Sequence, residues 1–514
     1  MKKIISLLLI LFLAISFTSC QTARWAYAED ENDETTEVNE DEEQDAASEN
    51  LTQIIRAENP EENAISADSG SLVSKDIIVI KTGDGYESKG SEYYDWYGHN
   101  AAILASGDAV ITITSADITT EATYASAVFA YHGAITITSA SIKTSKNNSG
   151  GIMVTGGGII TATDLDIETK GSSSAAIRSD RGGGSITANS GIYTTEGQGS
   201  PAIYSTASIK VSNAILESGI AQGVVIEGGN SVTLESVDMD AHHTKFNGKD
   251  STYQAILIYQ SNSGDASEGE AEFTMTGGSI TNENGDIFCV TNTTCDINLS
   301  GVDIENEDDT GNFLRAEKQN WPEPSSSKGG NVTLIASDQT IEGNIVISSD
   351  SSLDITLKNA SKFTGAFNPG SSSSSSSSSS STTSDDSVSV AAADGGYIYL
   401  KLEKGSKVVL TANSYITSWD VEDSSDITYG NYWINVGGIT HAAASSSTGG
   451  ESGGSSSNGG SSSGGSSGGS SNGGGSTSTS GDKVVIGPSG AGCNVGYAGI
   501  MTLLTCVAFI MKKK

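Results

Sequence analysis

Basic residues are scarce in this chain: 27 Lys and Arg stand against 63 Asp and Glu, a formal net charge of -36 over 514 residues. Phosphate recognition needs a basic face, so nucleic acid is excluded as a partner, and anionic membrane surfaces are disfavoured on the same ground. Aromatic residues make up only 6% of the chain, and the five histidines, His99, His132, His242, His243 and His441, are scattered along it. His242 and His243 sit in an inserted loop, where adjacent side chains point apart, which argues against a metal site there. Apolar residues at i, i+3, i+4 spacing are almost absent between residues 101 and 367, and Gly and Thr, both poor helix formers, are common in that stretch. A helical fold is therefore poorly supported.

What fills the stretch is a repeat. Each unit opens on a small residue and an aliphatic one, as in Ala102-Ile103, Ala127-Val128, Gly151-Ile152, Ala176-Ile177, Ala202-Ile203, Gly223-Val224 and Ala255-Ile256, with steps of 25, 24, 25, 26, 21 and 32 residues. A strictly alternating segment follows (Ile111-Thr112-Ile113-Thr114, Ile135-Thr136-Ile137-Thr138, Phe273-Thr274-Met275-Thr276). A third segment lies five residues beyond it, with Ile113 followed by Ile118, Ile137 by Ile142 and Leu299 by Ile304. Alternation by two places one row of side chains inward and the next outward. No unit can bury its inward row alone, so neighbours must stack, each strand pairing in parallel with its equivalent in the next coil. The spacing predicts an all-β fold, a parallel β-helix with three strands per coil, of ten or eleven coils and about 50 Å long at roughly 4.8 Å per coil.

The two ends read as envelope signals. Lys2 and Lys3 precede an apolar run from Ile4 to Phe17, the layout of an export signal over residues 1–20. Two endings compete: acylation of Cys20 after a lipoprotein-like Phe17-Thr18-Ser19-Cys20, or cleavage after Ala26-Tyr27-Ala28. At the far end, 492–514, Gly492-Cys493-Asn494 leads into an apolar stretch from Val495 to Met511 and then three lysines. This is either a retained transmembrane-type helix or a sorting-type tail in which Cys493 is the anchor residue; Cys506 lies within it. The expected location is exported, at the cell surface, with the membrane as partner through the termini.

Between these ends, Glu29 to Glu49 holds twelve acidic residues and no basic one, and 29–64 is expected to be a disordered acidic spacer. The β-helix with its caps is expected over 65–440. The aromatic cluster Tyr93-Tyr94-Asp95-Trp96-Tyr97 is assigned to the N-terminal cap, with stacking on sugar rings as the alternative. A Ser-rich insertion interrupts the coils at 370–393, and a Ser/Gly stalk follows at 445–482. Three longer insertions, Ala241 to Tyr253, Gln260 to Ala271 and Glu317 to Gly330, fall at similar points of their units and should protrude as adjacent loops; a functional face is expected there.

The passage from Gln254-Ala255-Ile256-Leu257 through Phe273-Thr274-Met275-Thr276-Gly277-Gly278-Ser279-Ile280 to Phe313-Leu314-Arg315 resembles the pectin-lyase-like right-handed parallel β-helices. Within them it is most similar to bacterial surface proteins of adhesin-like or carbohydrate-binding type. The resemblance implies the fold strongly and the function weakly, because one coil type hosts lyases, hydrolases and inert adhesins. Lyases of this kind use an Arg or Lys base beside calcium held by acidic residues. That implies Arg178, Arg181 and Arg315 as candidate bases, with Asp180, Asp166 and Asp238 as candidate ion ligands. Asp117, Asp166, Asp238 and Asp303 occupy equivalent slots but not consecutive coils, so a solvated acidic face is the plainer account. No cofactor is expected; calcium stays open.

One stripe is a candidate docking surface. The residues after the opening aliphatics are Leu104, Phe129, Met153, Arg178, Tyr204, Val225, Leu257, Phe288 and Leu314. They form an outward strip if the aliphatics face in, and core if the parity is reversed. Cys289 and Cys295 either form a short-loop disulfide or remain buried thiols. The expected function is a non-enzymatic adhesin, or a carbohydrate-binding or structural protein, taking a glycan or surface protein. The alternative is a lyase or hydrolase acting on acidic polysaccharide, which would need two or three carboxylates packed with an Arg, Lys or His.

Overall fold

The computed structural model describes residues 52–321, 326–369 and 395–443. The export signal with Cys20, most of the acidic spacer, the Ser run, the stalk and the tail with Cys493 lie outside the described residues. Parallel strands stack into a sheet of 15 and a second sheet of 11, joined coil by coil as in a β-helix. The pairing register is the repeat of the sequence: Ile111 lies beside Ile135, Ile135 beside Ile160, and Ile160 beside Ile186. The stack exceeds the expected ten or eleven coils because strands before residue 101 and after residue 394 join the same sheet.

The three expected strands per coil are two over most of the molecule. One is short, such as Ile103–Ser106; the other is long and bent, such as Val110–Thr120 or Ala134–Thr144. The bend follows from the five-residue spacing. Five is odd, so a flat strand would point Ile113 and Ile118 to opposite faces, yet both are buried. One residue per coil absorbs the extra position in the left-handed region: Ser115, Ser139, Asp164, Ser190, Asn213 and Ser236 have φ of 59°, 54°, 58°, 65°, 54° and 53°. Short polar side chains tolerate that backbone best. From Thr294 onward the bend opens into a break, as between Asn331–Ser337 and Thr340–Glu342, and the coil regains three strands.

Inside, like residues stack on like. Ile113, Ile137, Ala162, Ala188, Val211, Leu234, Met275 and Leu299 form one buried row, each large aliphatic contributing about 2 kcal/mol by leaving water. Buried corners need their polar backbone satisfied, and a serine ladder does this. Ser149 N–H donates to Ser174 Oγ at 2.9 Å, Ser174 N–H to Ser200 Oγ at 2.8 Å, and each hydroxyl donates onward to a carbonyl.

The structure corrects two expectations and decides between two alternatives. Gln53–Ala57, placed within the acidic spacer, is a strand paired with Ser71–Lys81, so ordered wall begins before residue 65. The aromatic cluster does not cap the end of the stack: it forms helix α1, Ser91–Tyr97, lying along the side of the short-strand sheet. Of the two alternatives for Cys289 and Cys295, the structure shows the buried thiols and not the disulfide. Both are free and buried, Cys289 in an outer cluster and Cys295 in the central core, on opposite faces of the coil wall. At the C-terminal end an antiparallel hairpin, Trp433–Val436 with Ile439–Ala442, closes over Ser414–Ile416. Among the described residues no helix is long and apolar enough to cross a membrane.

Candidate functional site

The outward row of the short-strand sheet organises the site. The register aligns Leu104, Phe129, Met153, Arg178, Tyr204, Val225, Leu257, Cys289 and Arg315. The inward parity of the opening aliphatics is therefore correct, with one slip: Phe288 and Leu314 belong to the inward row and Cys289 and Arg315 to the outer one. The strip is not a free docking surface. Leu104, Phe129 and Met153 are buried as a cluster of their own on the side where α1 lies. Gly98 ends α1 at φ 67°, and a Cβ there would stand 2.8 Å from the Phe129 ring, so only glycine lets the helix seat. Thr155 Oγ1 donates to the Trp96 carbonyl at 2.7 Å, fastening the helix to the wall. Further along, Val225, Leu257, Tyr259 and Cys289 cluster with Trp321 and Tyr204 against them.

Between the two covered ends the row turns polar, at Arg178 and Tyr204. A pocket of about 170 Å³ opens there, lined by Arg178, Asp180, Tyr204, Asn247, Tyr259 and Asp265. The Arg178 guanidinium donates to Asp95 of α1 at 3.1 Å and to Asp180 at 2.8 Å. Burial raises both carboxyls against the pull of Arg178, Asp180 up to about 6. Arg181 stacks 3.5 Å over the Trp96 ring and lies 3.7 Å from Asp265. Glu227, almost fully buried, accepts hydrogen bonds from Tyr204 at 2.5 Å, Tyr259 at 2.8 Å and Ser263 at 3.2 Å, and another from Ser261. Burial, with the Glu227 carboxylate beside them, holds both phenols far above their ordinary pKa.

Two of the three inserted loops line this pocket, and described residues of the third pack behind Tyr259 and against the first. The first supplies Asn247. It is braced by buried His243, whose Nδ1 accepts the Gln254 N–H at 3.1 Å, and by Asp250, which accepts from Gln222 at 3.1 Å. The second supplies Asp265 and the two serines on Glu227. The third packs Trp321 on Tyr259 at 4.9 Å, while Gln319 donates to Thr252 of the first loop at 2.9 Å.

Of the candidates named from sequence, Arg178, Arg181 and Asp180 come together here. Arg315 does not: it is bound to Asp286 at 2.5 Å and lies 3.5 Å from Glu317. Asp166 lies instead on the bent sheet, in a groove of about 720 Å³ that Asp117 shares, and Asp238 and Asp303 continue the same row further along. Ser141, Ile192, Ile215 and Ser279 separate them, so the row is not continuously acidic. The histidines stay apart, His99 on Tyr93, His132 on Tyr131 and His441 on Trp419. Among the described residues no group of three or more His, Cys, Asp or Glu is placed to hold a metal ion. Sequence reasoning missed Asp95, Glu227, Tyr259 and Asp265 as site residues. The available signal was Glu227, an acid closing the run Val224-Val225-Ile226 in a strand that is buried throughout.

No family model matches the chain, and comparison with curated proteins finds no relative.

Proposed function

We propose that this chain is a cell-envelope surface protein whose β-helix presents a preorganised glycan-binding pocket, and that it holds its ligand without converting it. The observation that carries this reading is the prior commitment of the pocket's charged groups to one another. Arg178 is matched by Asp95 and Asp180, and Glu227 by two tyrosines and two serines. Such a constellation is rigid and offers carboxylate, phenol and amide groups at fixed positions, which suits the many hydroxyls of a sugar. The leader, the Ser/Gly stalk and the apolar tail read from the sequence support display at the envelope. A right-handed coil fits the general sense of parallel crossovers.

A second reading rests on one observation: Asp180 and Asp265 line the same pocket, and burial pushes Asp180 up to about 6, so it holds its proton to a higher pH than an ordinary aspartate, in the direction a general acid needs. The two readings part in a single experiment. The full chain is presented with a glycan array and with acidic polysaccharides, with and without calcium, while unsaturated-uronate absorbance and new reducing ends are followed. Saturable binding that weakens in Asp265→Ala without product supports the adhesin. Product lost in Asp180→Asn would replace it with a lyase or hydrolase. Silence in both channels would leave a structural spacer.

A further inference from the structure

The lining of the Arg178 pocket is short of free donors. Nη2 of Arg178 donates to Asp95 and to Asp180, and Nη1 donates to Asp95 at 3.4 Å and to the Ser173 carbonyl at 3.3 Å. Arg181 does not line the pocket; its guanidinium lies over Trp96, with Nη2 3.4 Å from the Ser263 carbonyl. Tyr204 and Tyr259 do line it, but a phenol carries one proton, and each gives that proton to Glu227. Among the lining side chains, exposed Ser173 and Asn247 are left with donors to spare.

Acceptors are in surplus. Asp265 lines the same pocket with its side chain 24% exposed, and among the described residues its carboxylate accepts no hydrogen bond; its ion-pair contact is Arg181 Nη2, at the long distance of 3.7 Å. Its backbone N–H donates to Ser263 Oγ at 3.2 Å, which fixes the segment that presents it. Each Asp180 oxygen has one donor, Arg178 at 2.8 Å on one and the Arg181 N–H at 2.8 Å on the other, and a carboxylate oxygen has room for two. Asp95, Asp180, Glu227 and Asp265 are answered by Arg178 and Arg181, so the balance stays negative even with one carboxyl protonated. Lys249 and Asp250, neighbours in the first loop, cancel. Burial raises Asp95 and Asp180 against the pull of Arg178, and the Asp265 charge adds to the rise. A carboxylate or sulfate entering here would meet like charge and few donors. An ammonium, with three donors, a positive charge and no acceptor, matches the lining.

We propose that the Arg178 pocket takes a primary ammonium group, carried by a hexosamine whose amine is free, with Asp265 as its counter-charge. The ammonium rests on the donor and charge balance of the pocket; its sugar carrier rests on the glycan reading above. At about 170 Å³ the pocket falls below the roughly 300–1,000 Å³ of sites that enclose a whole drug-sized ligand, so it holds one unit of a chain. The net charge of -36 favours the approach of a polymer of such amines in the same sense. A cationic, de-N-acetylated polysaccharide is then the fitting ligand class, and an acidic one is repelled.

The test uses the full chain at neutral pH with the methyl glycosides of glucosamine, N-acetylglucosamine and glucuronic acid, and with n-butylamine, each titrated by saturation-transfer NMR. Methyl glucosaminide should bind about tenfold more tightly than the other two glycosides, the worth of one charge-assisted hydrogen bond. Asp265→Asn keeps the shape of a side chain that accepts no hydrogen bond; it should lower that affinity about tenfold and erase the preference. Glu268→Gln, at an exposed acid of the same loop that does not line the pocket, should change nothing. Equal losses in the two variants, equal affinities for the three glycosides, or no binding at all would overturn the proposal. Failure of the glycan reading shows separately: butylamine that binds as tightly as the glucosaminide, and is lost in Asp265→Asn, would keep the ammonium site and remove the sugar.

Discussion

One outward row of side chains behaves in two ways along the same sheet. At Leu104, Phe129 and Met153, and again at Val225, Leu257 and Cys289, it is apolar and covered, by α1 at one end and by the inserted loops at the other. At Arg178 and Tyr204 it is polar, and the covers stop short to leave the pocket. The difference teaches that the covers and the pocket are one construction. Apolar rungs recruit a lid because leaving them wet is costly, and the polar rungs set where the lid ends. Asp95 and Trp96 of α1 reach the edge of the gap and hold Arg178 and Arg181 there.

The comparison breaks most severely at its polar rung. Arg178→Ala strands Asp95 and Asp180 as unpaired buried carboxylates and should cost about 4 kcal/mol in denaturant unfolding. Adding Asp95→Asn and Asp180→Asn should restore a good part of that loss. At the apolar rung, Phe129→Ala should cost about 3 kcal/mol and release α1, seen as rapid amide exchange in residues 91–98 with the core still protected.

A pH prediction sharpens the role of the loops. Burial pushes His243 down to about 4, so it stays neutral in the fold while the unfolded chain takes up a proton at about pH 6.5. The unfolded state then binds more protons between those values, and stability falls as pH drops from about 6.5 to 4. Asp180, raised to about 6, acts in the opposite sense over nearly the same window, since the folded state holds its proton longer. The two partly cancel in the native chain. Against His243→Gln, where Asp180 is common to both, the native chain should lose about 3 kcal/mol across that range in pH-dependent melting.

Smaller still is Tyr204→Phe, which removes one of four hydrogen bonds to Glu227 and should cost about 1 kcal/mol. Equal stability of this variant and the native chain would mean that water replaces the phenol, and that the network is less closed than its geometry implies.

The parallel coil was written in the sequence because its signal is local and repeated. Alternation by two and a period near 25 define the inward row and the pairing register, and Ile111, Ile135 and Ile160 stand side by side as the spacing requires. The three insertions announced themselves as longer steps, and their adjacency followed from stacking. What sequence could not supply was whatever depends on partners far along the chain. Tyr93 to Tyr97 reads from the sequence as part of the N-terminal cap, and only the folded wall offers Leu104, Phe129 and Met153 for it to cover. Arg178 acquires its meaning from Asp95, 83 residues earlier, and Glu227 from Tyr259 and Ser261, 32 and 34 residues later. Even the merging of two predicted strands into one bent strand turns on a single left-handed residue per coil, whose conformation is stabilised by the rungs above and below it. Periodicity determined the scaffold because each coil repeats the same local demand; the site was decided by tertiary structure because its groups become neighbours only when the coils stack.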